Sequence, residues 1–362
     1  MRITKRRAAG AAGGALVASA ALSLAMATPA MAEDFYKGKT LTILIGFPPG
    51  GSYDGYAQVA ALHYGNHIAG KPNVIVEHQP GGGGRKAASY FFAKAPTDGT
   101  MISIMPETLA SLQLLEPKRV RWDMRKVKFI GSFVPAHSVF GVRKDSGVKN
   151  VKDALSKEFR VGCTAKASPS AQVPLLIKNL LGAKFDMVCG YRGSGPYRLA
   201  LLRNEVQAIQ MNWATWNAKL SDKVESGELI PLWQTGIKRG ADSKDIPVIQ
   251  EVIGNEKTKP VFDFVGAPAR IGRSLTAAPG MPEARTSELK AAFQKLIKDK
   301  SFVADIKKRG FLFDPAPGEE VDETIKQIFS TPKDVIELAA KAMSQGYKEG
   351  CITCGSEKKK KK

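Results

Sequence analysis

The sequence lacks a strongly apolar stretch of the roughly 20 residues that a membrane-spanning helix requires. Its early apolar segment is short, follows a cationic start that includes Arg6 and Arg7, and ends in the small residues AMA at 30–32. This order is typical of an export signal peptide, predicted here over 1–32, with the mature chain beginning near Glu33. The paired arginines leave both general secretion and twin-arginine export open.

Acidic residues are also few, with 34 Asp or Glu against 54 Lys or Arg and a formal net charge of +20. Subtracting the four cations of the leader and the five lysines at 358–362 leaves about +11 for the body of the chain. No zinc finger, KH loop or basic strand interleaved with aromatics accompanies this charge, so we predict no nucleic-acid partner. The segment 351–362 is interpreted as a disordered basic tail.

The signatures of common catalytic sites are missing as well. His63 and His67 have the spacing of a zinc pair on a helix, but the glutamate of HExxH is absent, and we interpret them as a solvated helix face. Ser52 and Ser168 stand at predicted helix starts without a Gly-x-Ser-x-Gly elbow around them. We therefore predict a binding protein without catalytic residues, metal or cofactor, and not an enzyme.

Only four cysteines occur, in two pairs. Cys163 and Cys189 each follow a strand-like run, with a helix-like segment between them, so they are predicted to end neighbouring parallel strands. In an exported chain this makes a disulfide between them a reasonable hypothesis. Cys351 and Cys354 have CxxC spacing but no second CxxC, which favours a local disulfide or free thiols over a redox or metal role.

What the sequence does contain is an alternation of β-like and helix-like runs. LTILIGF, NVIVEHQ and TMISIM, and later SVFGVRK, FRVGCT, FDMVCGY, VQAIQMN and ELIPLWQ, are separated by amphipathic segments. This alternation predicts an α/β fold with parallel sheets and right-handed crossovers, followed by an all-helical region from Pro282. Each half opens with a strand, a Gly- or Ser-rich turn and a helix start, as ligand crevices do in open α/β sheets.

The loop GFPPGGSYDG, residues 46–55, follows the first of these strands. Its prolines end the strand and its glycines permit close approach of a ligand to backbone N–H groups. Ser52 or Asp54 is predicted to cap the next helix, whose start suits an anion. No Gly-Lys-Ser/Thr follows, so it is not a nucleotide loop; a plain tight turn remains the alternative.

Three further loops repeat this arrangement. PGGGGRK at 80–86 adds Arg85 and Lys86 beside a second run of glycines, and with the first loop it predicts a backbone cradle for an anion; a flexible surface turn is the alternative. The loops at 164–170 and 190–196 each end in a helix start with a nearby proline. These two loops are expected to face the first two across a cleft.

The four loops, in this order, carry a resemblance to a known family. FYKGKTLTILIGFPPGGSYD, VIVEHQPGGGGRKAASYFFAKAPTDGTMISI, GYRGSGPYRLALLRNEVQAIQMN and LIPLWQTGIKRGADSKDIPVIQEV resemble motifs of the periplasmic receptors of tripartite tricarboxylate transporters, the Bug receptors. The resemblance implies a type II periplasmic-binding-protein-like fold, in which two α/β lobes joined by a two-strand hinge close on a small organic carboxylate. It also implies a monomer in the periplasm that serves membrane transporter subunits. Lobe 1 is expected over 33–137 and 272–350, and lobe 2 over 138–271.

Ligand-binding residues follow from the same resemblance together with the charge of the loops. They are Pro49, Gly50, Gly51, Ser52 and Asp54; Gly82, Gly83, Gly84 and Arg85; Thr164, Ala165 and Ser168; and Arg192, Gly193 and Ser194. The cations Arg85, Lys86, Lys166 and Arg192 favour a multiply charged or bulky anion. Substrate identity is not implied, because 164–172 has lost the family's glycines and ARIGRSLTAAPG lacks its Trp-Gly.

Two questions stay open from the sequence alone. Trp213 and Trp216 follow a predicted strand end, where packing in the core is favoured over lining of the cleft. A periplasmic enzyme acting on a carboxylate, or a ligand-sensing protein that feeds a signalling partner, remain the alternatives to the receptor, since a fold does not determine a function.

Overall fold

The alternating runs form eleven strands in the residues that the computed structural model describes, which are 35–253 and 255–344. The predicted signal peptide, the second cysteine pair and the basic tail lie outside these ranges. The strands are β1 Thr40–Ile45, β2 Asn73–His78, β3 Met101–Ile104, β4 Lys128–Ser132, β5 Ser138–Arg143, β6 Arg160–Cys163, β7 Asp186–Cys189, β8 Ala208–Asn212, β9 Leu229–Thr235, β10 Ser274–Ala277 and β11 Ala316–Pro317.

Helices separate most of these strands and follow them in the last third of the chain. They are α1 Ser52–His63, α2 Arg85–Lys94, α3 Leu109–Leu115, α4 Val151–Ser156, α5 Pro169–Leu181, α6 Ser194–Leu202, α7 Trp213–Glu225, α8 Ile249–Val252, α9 Lys259–Gly266, α10 Glu283–Leu296, α11 Lys300–Lys308, α12 Gly318–Phe329 and α13 Lys333–Ser344. Within the described residues, none of the helices is both long and apolar enough to cross a bilayer.

The strands form two sheets, each the centre of one lobe. The first has the order β11-β4-β10-β3-β1-β2 and the second the order β7-β6-β8-β5-β9. Parallel pairing of β1 with β2 runs from Thr40 opposite Asn73 to Ile45 opposite His78. Helices and large apolar side chains cover the sheets, and the fold has the predicted two-lobe α/β architecture.

Each sheet also contains strands that run against the others, so the expectation of parallel sheets was correct for β1, β2 and β3 and for β6, β7 and β8 but not for the other strands. In the first sheet β10 pairs antiparallel with β3 and β4, and in the second β5 pairs antiparallel with β8 and β9. The reason is connectivity: β5 and β10 are the first strands after the chain passes from one sheet to the other. Strands that a βαβ crossover connects run parallel, whereas a strand that enters from the opposite lobe can pair in the antiparallel direction.

The first cysteine pair lies where its spacing predicted. Cys163 and Cys189 stand opposite each other at the ends of the parallel strands β6 and β7. They are joined in a disulfide, with their Cα atoms 4.4 Å apart. The bond joins β6, which precedes α5, to β7, which precedes α6. Both of these helices begin at the cleft.

The helix that contains the two tryptophans was not predicted from the sequence. Residues 213–225 form α7, and the side chain of Asn212 caps it by accepting a hydrogen bond from the backbone N–H of Ala214 at 3.2 Å. Trp216 is fully buried and donates from Nε1 to the carbonyl of Val139 at 3.1 Å, so the expectation of core packing was correct for this residue. Trp213 is partly buried and donates to the carbonyl of Asp242.

Candidate functional site

A cavity of about 60 Å³, measured as the space open to the centre of a water molecule, lies between the two lobes. The first lobe and its return strand contribute Phe47, Pro48, Gly51, Ser52, Tyr53 and Arg273. The second lobe contributes a polar wall of Thr164, Ser168, Ser170, Ser194, Asn212 and Thr215. A space of this size holds several waters or the polar end of a small organic ligand.

Four helices begin at this cavity. Ser52 opens α1, Ser168 immediately precedes α5, Ser194 opens α6 and Asn212 immediately precedes α7, and all four line the cavity. The first N–H groups of a helix have no partner within the helix, and the macrodipole is positive at that end. Helix starts from both lobes therefore converge on one space, an arrangement that stabilises an anion such as a carboxylate.

The first loop takes its shape from Asp54. One carboxylate oxygen, Oδ2, accepts a hydrogen bond from the N–H of Gly50 at 2.9 Å, where Gly50 has a φ of +97°. The other, Oδ1, is 2.9 Å from Nε2 of His78 and accepts from Nε2 of Gln58 at 3.2 Å. Asp54 lies outside the cavity lining, so its contacts hold the loop that presents α1. The predicted side-chain cap was wrong: Gly51 occupies the N-cap position, and Ser52 and Asp54 lie in the first turn.

Sequence reasoning missed a buried arginine. The Nε atom of Arg273 donates to Oγ of Ser52 at 3.0 Å, and its Nη1 donates to Oε2 of Glu107 at 2.8 Å. The guanidinium carbon lies 3.9 Å from the ring centre of Tyr53, whose hydroxyl also donates to Oε2 of Glu107 at 2.5 Å. The sequence marks this residue only by its position directly before the run SLTA, where the chain passes between the lobes for the second time.

The protonation states of this cluster follow from its surroundings. Burial alone would lower the pKa of Arg273, but the Glu107 carboxylate, together with the Tyr53 and Tyr56 hydroxyl groups, outweighs it, and the pKa is raised. Burial raises the pKa of the Tyr53 hydroxyl well above its usual value, and the Arg273 guanidinium opposes this only in part. Arg273 is therefore cationic and Tyr53 remains a protonated donor.

Hydroxyl groups line the start of α5. Oγ1 of Thr164 donates to Oγ of Ser168 at 2.7 Å, and the hydroxyls of Ser168 and Ser170 are 2.8 Å apart. Ser168 is the N-cap residue, as predicted, but its side chain makes no capping bond and contacts the carbonyl of Ala165 instead. The hydroxyl protons can rotate, so the cluster is able to turn donors toward a bound anion.

The second glycine-rich loop lies beside the cavity and not in its lining. Gly82, Gly83 and Gly84 have positive φ angles of 57°, 67° and 92°. A Cβ added to Gly83 would lie 3.0 Å from the backbone nitrogen of Ser168 in the other lobe. Gly83 thus allows the two lobes to approach each other closely.

The cations expected in the cleft lie outside the lining of this cavity, and Arg85 and Lys166 face a second space between the lobes. Arg85 donates from Nη2 to Oε2 of Glu116 at 2.7 Å, and Nζ of Lys166 is 4.0 Å from Oε1 of the same carboxylate. These three side chains line a separate space, together with Gly82 and Ala165. The side chain of Arg192 is exposed outside the cavity.

The predicted binding residues therefore divide into two groups. Those that line the cavity are Gly51, Ser52, Thr164, Ser168 and Ser194. Those outside its lining are Pro49, Gly50, Asp54, Gly82, Gly83, Gly84, Arg85, Ala165, Arg192 and Gly193. Gly193 nevertheless marks a close approach between lobes, since a Cβ there would lie 2.7 Å from the side chain of Pro48. Ligand contact by each of these residues stays a prediction.

His63 of α1 and His67 of the turn after it each lie beside an aspartate. One aspartate belongs to α11 and the other is the N-cap residue of that helix. His63 Nε2 is 2.8 Å from Oδ2 of Asp305, and His67 Nε2 is 3.0 Å from Oδ2 of Asp299. Both side chains are mostly covered, so the prediction of a solvated face was wrong. Within the described residues, no group of three or more His, Cys, Asp or Glu has an arrangement that suits a metal ion.

Comparison with known proteins agrees with this geometry. Residues 58–313 match the profile of the family described as tripartite tricarboxylate transporter family receptor. The UPF0065 protein in the gbd 5'region of Cupriavidus necator is 28% identical over 258 residues, which is 68% of this chain and 75% of that protein.

Solved structures share the fold. The periplasmic binding protein BugD superposes with a TM-score of 0.65 at 21% identity, over 85% of this chain and 98% of BugD. MatC from Rhodopseudomonas palustris, solved with bound malate, superposes with a TM-score of 0.62 at 19% identity, over 82% of this chain and 99% of MatC. Because the family profile spans well over half of its length, the chain belongs to the tripartite tricarboxylate transporter receptor family.

Proposed function

We propose that this chain is a periplasmic solute-binding receptor that captures a small organic carboxylate between its lobes and delivers it to the membrane subunits of a tripartite tricarboxylate-type transporter. The observation that carries the proposal is the convergence of four helix starts, from both lobes, on one cavity. The proposal includes the signal peptide at 1–32, lobe 1 over 33–137 and 272–350, lobe 2 over 138–271, and a monomeric state.

The chemistry of the lining favours binding over catalysis. Among the described residues that line the cavity, none is His, Asp, Glu, Cys or Lys. General acid–base catalysis at neutral pH needs such a group, or a tyrosine, within hydrogen-bonding reach of the substrate. Two tyrosines, Tyr53 and Tyr197, line the cavity, but burial raises the pKa of both hydroxyls far from neutrality. Hydroxyls, amides and helix starts instead supply neutral donors, which hold a carboxylate without reacting with it.

Closure of the lobes explains capture. The hydroxyl of Thr108 in the first lobe donates to the carbonyl of Ala167 in the second at 3.2 Å. Gly51 faces Ser194 across the cleft, where an added Cβ would lie 2.8 Å from the serine Oγ. A ligand that touches both lobes binds the closed form better than an open one, so it shifts the population toward closure.

MatC supports the ligand class, because it has this fold and was solved with malate, a carboxylate. The test is a thermal-shift and calorimetric screen of organic acids, each paired with its neutral amide. At a concentration about 100-fold above Kd, ligand binding stabilises the folded state by about 2.7 kcal/mol, which raises Tm by several degrees. The proposal expects a shift with at least one acid and none with its amide, and an unchanged ligand by NMR after incubation. The absence of any shift, or turnover of the acid, would overturn it.

A further inference from the structure

We infer that the second space between the lobes is a site for an oxyanion that carries two or more negative charges, such as phosphate or a tricarboxylate. The space has a volume of about 210 Å³, again measured as the space open to the centre of a water molecule. That is many times what a single water needs. The site lies outside the cavity of the proposed carboxylate and does not depend on that function. Its lining consists of Gly82, Arg85, Glu116, Arg119, Ala165, Lys166 and Ala167.

Cations outnumber acidic groups around this space. Of the described residues that line it, Arg85, Arg119 and Lys166 have cationic side chains, and Glu116 has the one acidic side chain. Nη2 of Arg85 lies 2.7 Å from Oε2 of Glu116, and Nη1 of Arg119 lies 3.5 Å from the same oxygen. One carboxylate balances only one of the two guanidinium groups, so positive charge remains. A cleft with an excess of one sign of charge attracts a ligand of the opposite sign.

The two arginines suit an oxyanion. A guanidinium group presents its N–H donors in a planar fork that matches the oxygens of carboxylate and phosphate groups. Arg85 uses Nη2 in its hydrogen bond to Glu116, and its side chain is 21% exposed. The Arg119 side chain is 62% exposed, so it can turn toward an anion that enters from solvent. Both arginines therefore retain N–H donors for a ligand.

The backbone reinforces this charge. Gly82 lines the space, and Gly84 and Arg85 are the N-cap and the first residue of α2. The first turn of α2 contains no acidic residue. Because the N–H groups and the positive dipole end of a helix start attract anions, the helix and the arginines act on this space with the same sign.

The loop 164–168 of the second lobe divides this space from the cavity. The residues at its two ends, Thr164 and Ser168, line the cavity, and the three residues between them line the second space. Gly83 of the first lobe lies against this loop, since a Cβ added there would be 3.0 Å from the backbone nitrogen of Ser168. A small anion in the second space therefore leaves the cavity open, and both sites can be filled at once.

Each lobe contributes part of the wall. Arg85, Glu116 and Arg119 belong to the first lobe, and Lys166 of the second lobe has its Nζ 4.0 Å from Oε1 of Glu116. An anion that contacts both lobes binds the closed form better than an open one and so favours closure. By linkage, it should strengthen the binding of an acid in the cavity, and the acid should strengthen the binding of the anion by the same factor.

The test is calorimetry of the unmodified chain with inorganic phosphate and with citrate at pH 8, with nitrate as a singly charged oxyanion and chloride holding the ionic strength constant. We expect at least one of the two multiply charged anions to bind one per chain and more tightly than nitrate. The tighter of the two indicates the source of the natural ligand, an inorganic anion or an organic acid. If the cations only neutralise Glu116, neither anion binds; that result, or equal affinity for nitrate, would overturn the inference.

Variants assign the binding to this space. Arg119→Gln is expected to raise the Kd of the bound anion about 10-fold, because a charge-assisted donor is lost. Arg125→Gln is the matched control, since that side chain is 61% exposed, also pairs with a carboxylate and lies outside the space. It is expected to leave the Kd unchanged. An equal rise in both variants, or none in Arg119→Gln, would overturn the assignment.

Competition separates the two sites. Saturating phosphate should lower the Kd of the tightest-binding acid of the screen. An acid Kd that instead rises in proportion to the phosphate concentration would show one shared site and overturn the inference, while the receptor function would stand. If no acid binds and phosphate binds with the expected dependence on Arg119, the proposed function fails and the second site stands.

Discussion

Nη1 of Arg273 lies 2.8 Å from Oε2 of Glu107, and both residues are at least 96% buried at the edge of the cleft. Arg273 stands just before β10, where the chain has returned to the first sheet, and Glu107 follows β3. The pair therefore connects the return crossing to the strand end beside α1. It positions Ser52 at the cavity while cancelling the charge that an arginine would otherwise present there.

Removing one member of this pair should destabilise the protein strongly. Arg273→Met leaves Glu107 buried without a counter-ion, and we expect the free energy of unfolding in urea to fall by about 3–5 kcal/mol. The double variant Arg273→Met with Glu107→Gln removes both charges and should recover much of this loss. Equal stabilities of the single and double variants would contradict a paired role.

Bulk at Gly51 should impair ligand capture more than stability. Gly51 has φ −101° and ψ 178°, a conformation that valine also adopts, but its side faces Ser194 across the cleft. We expect Gly51→Val to weaken binding of the best acid of the screen by 10-fold or more, because the lobes cannot close fully. Gly195→Val is the control, since an added Cβ there meets nothing within 4 Å. Equal affinities of the two variants in calorimetry would remove Gly51 from the closing surface.

The disulfide should contribute measurably to stability. The bond between Cys163 and Cys189 closes a loop with a sequence separation of 26, for which loss of unfolded-state entropy predicts about 3 kcal/mol. The double Cys→Ser variant is expected to lose about that much free energy of unfolding. Reductant should lower the stability of the unmodified chain by a similar amount and leave the variant unchanged. An equal effect of reductant on both would argue against this bond.

Asp299 should make the stability of the folded protein depend on pH. Hydrogen bonds from Ser301, first from its hydroxyl, lower the pKa of this carboxyl to about 2 against the opposing effect of burial, and His67 also contributes. A carboxyl with a lowered folded pKa adds stability that is fully present above its unfolded pKa, near 4, and is lost as pH falls toward 2. The free energy of unfolding of Asp299→Asn should thus differ most from that of the unmodified chain above about pH 5, and this difference should become smaller below pH 4. A gap that does not change with pH would contradict this origin.

The sequence was most informative where a local pattern decides the structure. Alternating apolar runs predicted the eight strands that were named, and the position of Pro169 predicted the start of α5. Three strands, β4, β10 and β11, were missed, because KFIGS, SLTA and the two residues of β11 are too brief to show a pattern; β11 also interrupts the region from Pro282 that was expected to be all helical. The helices α3, α7, α8 and α9 were missed as well.

The site was predicted less completely, since it depends on contacts distant in sequence. The glycine-rich loop around Gly83 has the composition of an anion cradle, and that role stays a prediction; its close contact with Ser168 of the other lobe could not be predicted from the sequence. The role of Arg273 is set by Glu107, 166 residues earlier, and by Ser52, 221 residues earlier. Local patterns carry no information on pairs at such separations.

The most direct test of the receptor function is a crystal structure of the chain with the tightest-binding acid of the screen. The account predicts the ligand carboxylate in the cavity between the lobes, within about 3 Å of N–H groups or hydroxyls at the starts of α1 and of at least one helix of the second lobe. A carboxylate held by one lobe alone, or bound outside the cleft between the lobes, would contradict it.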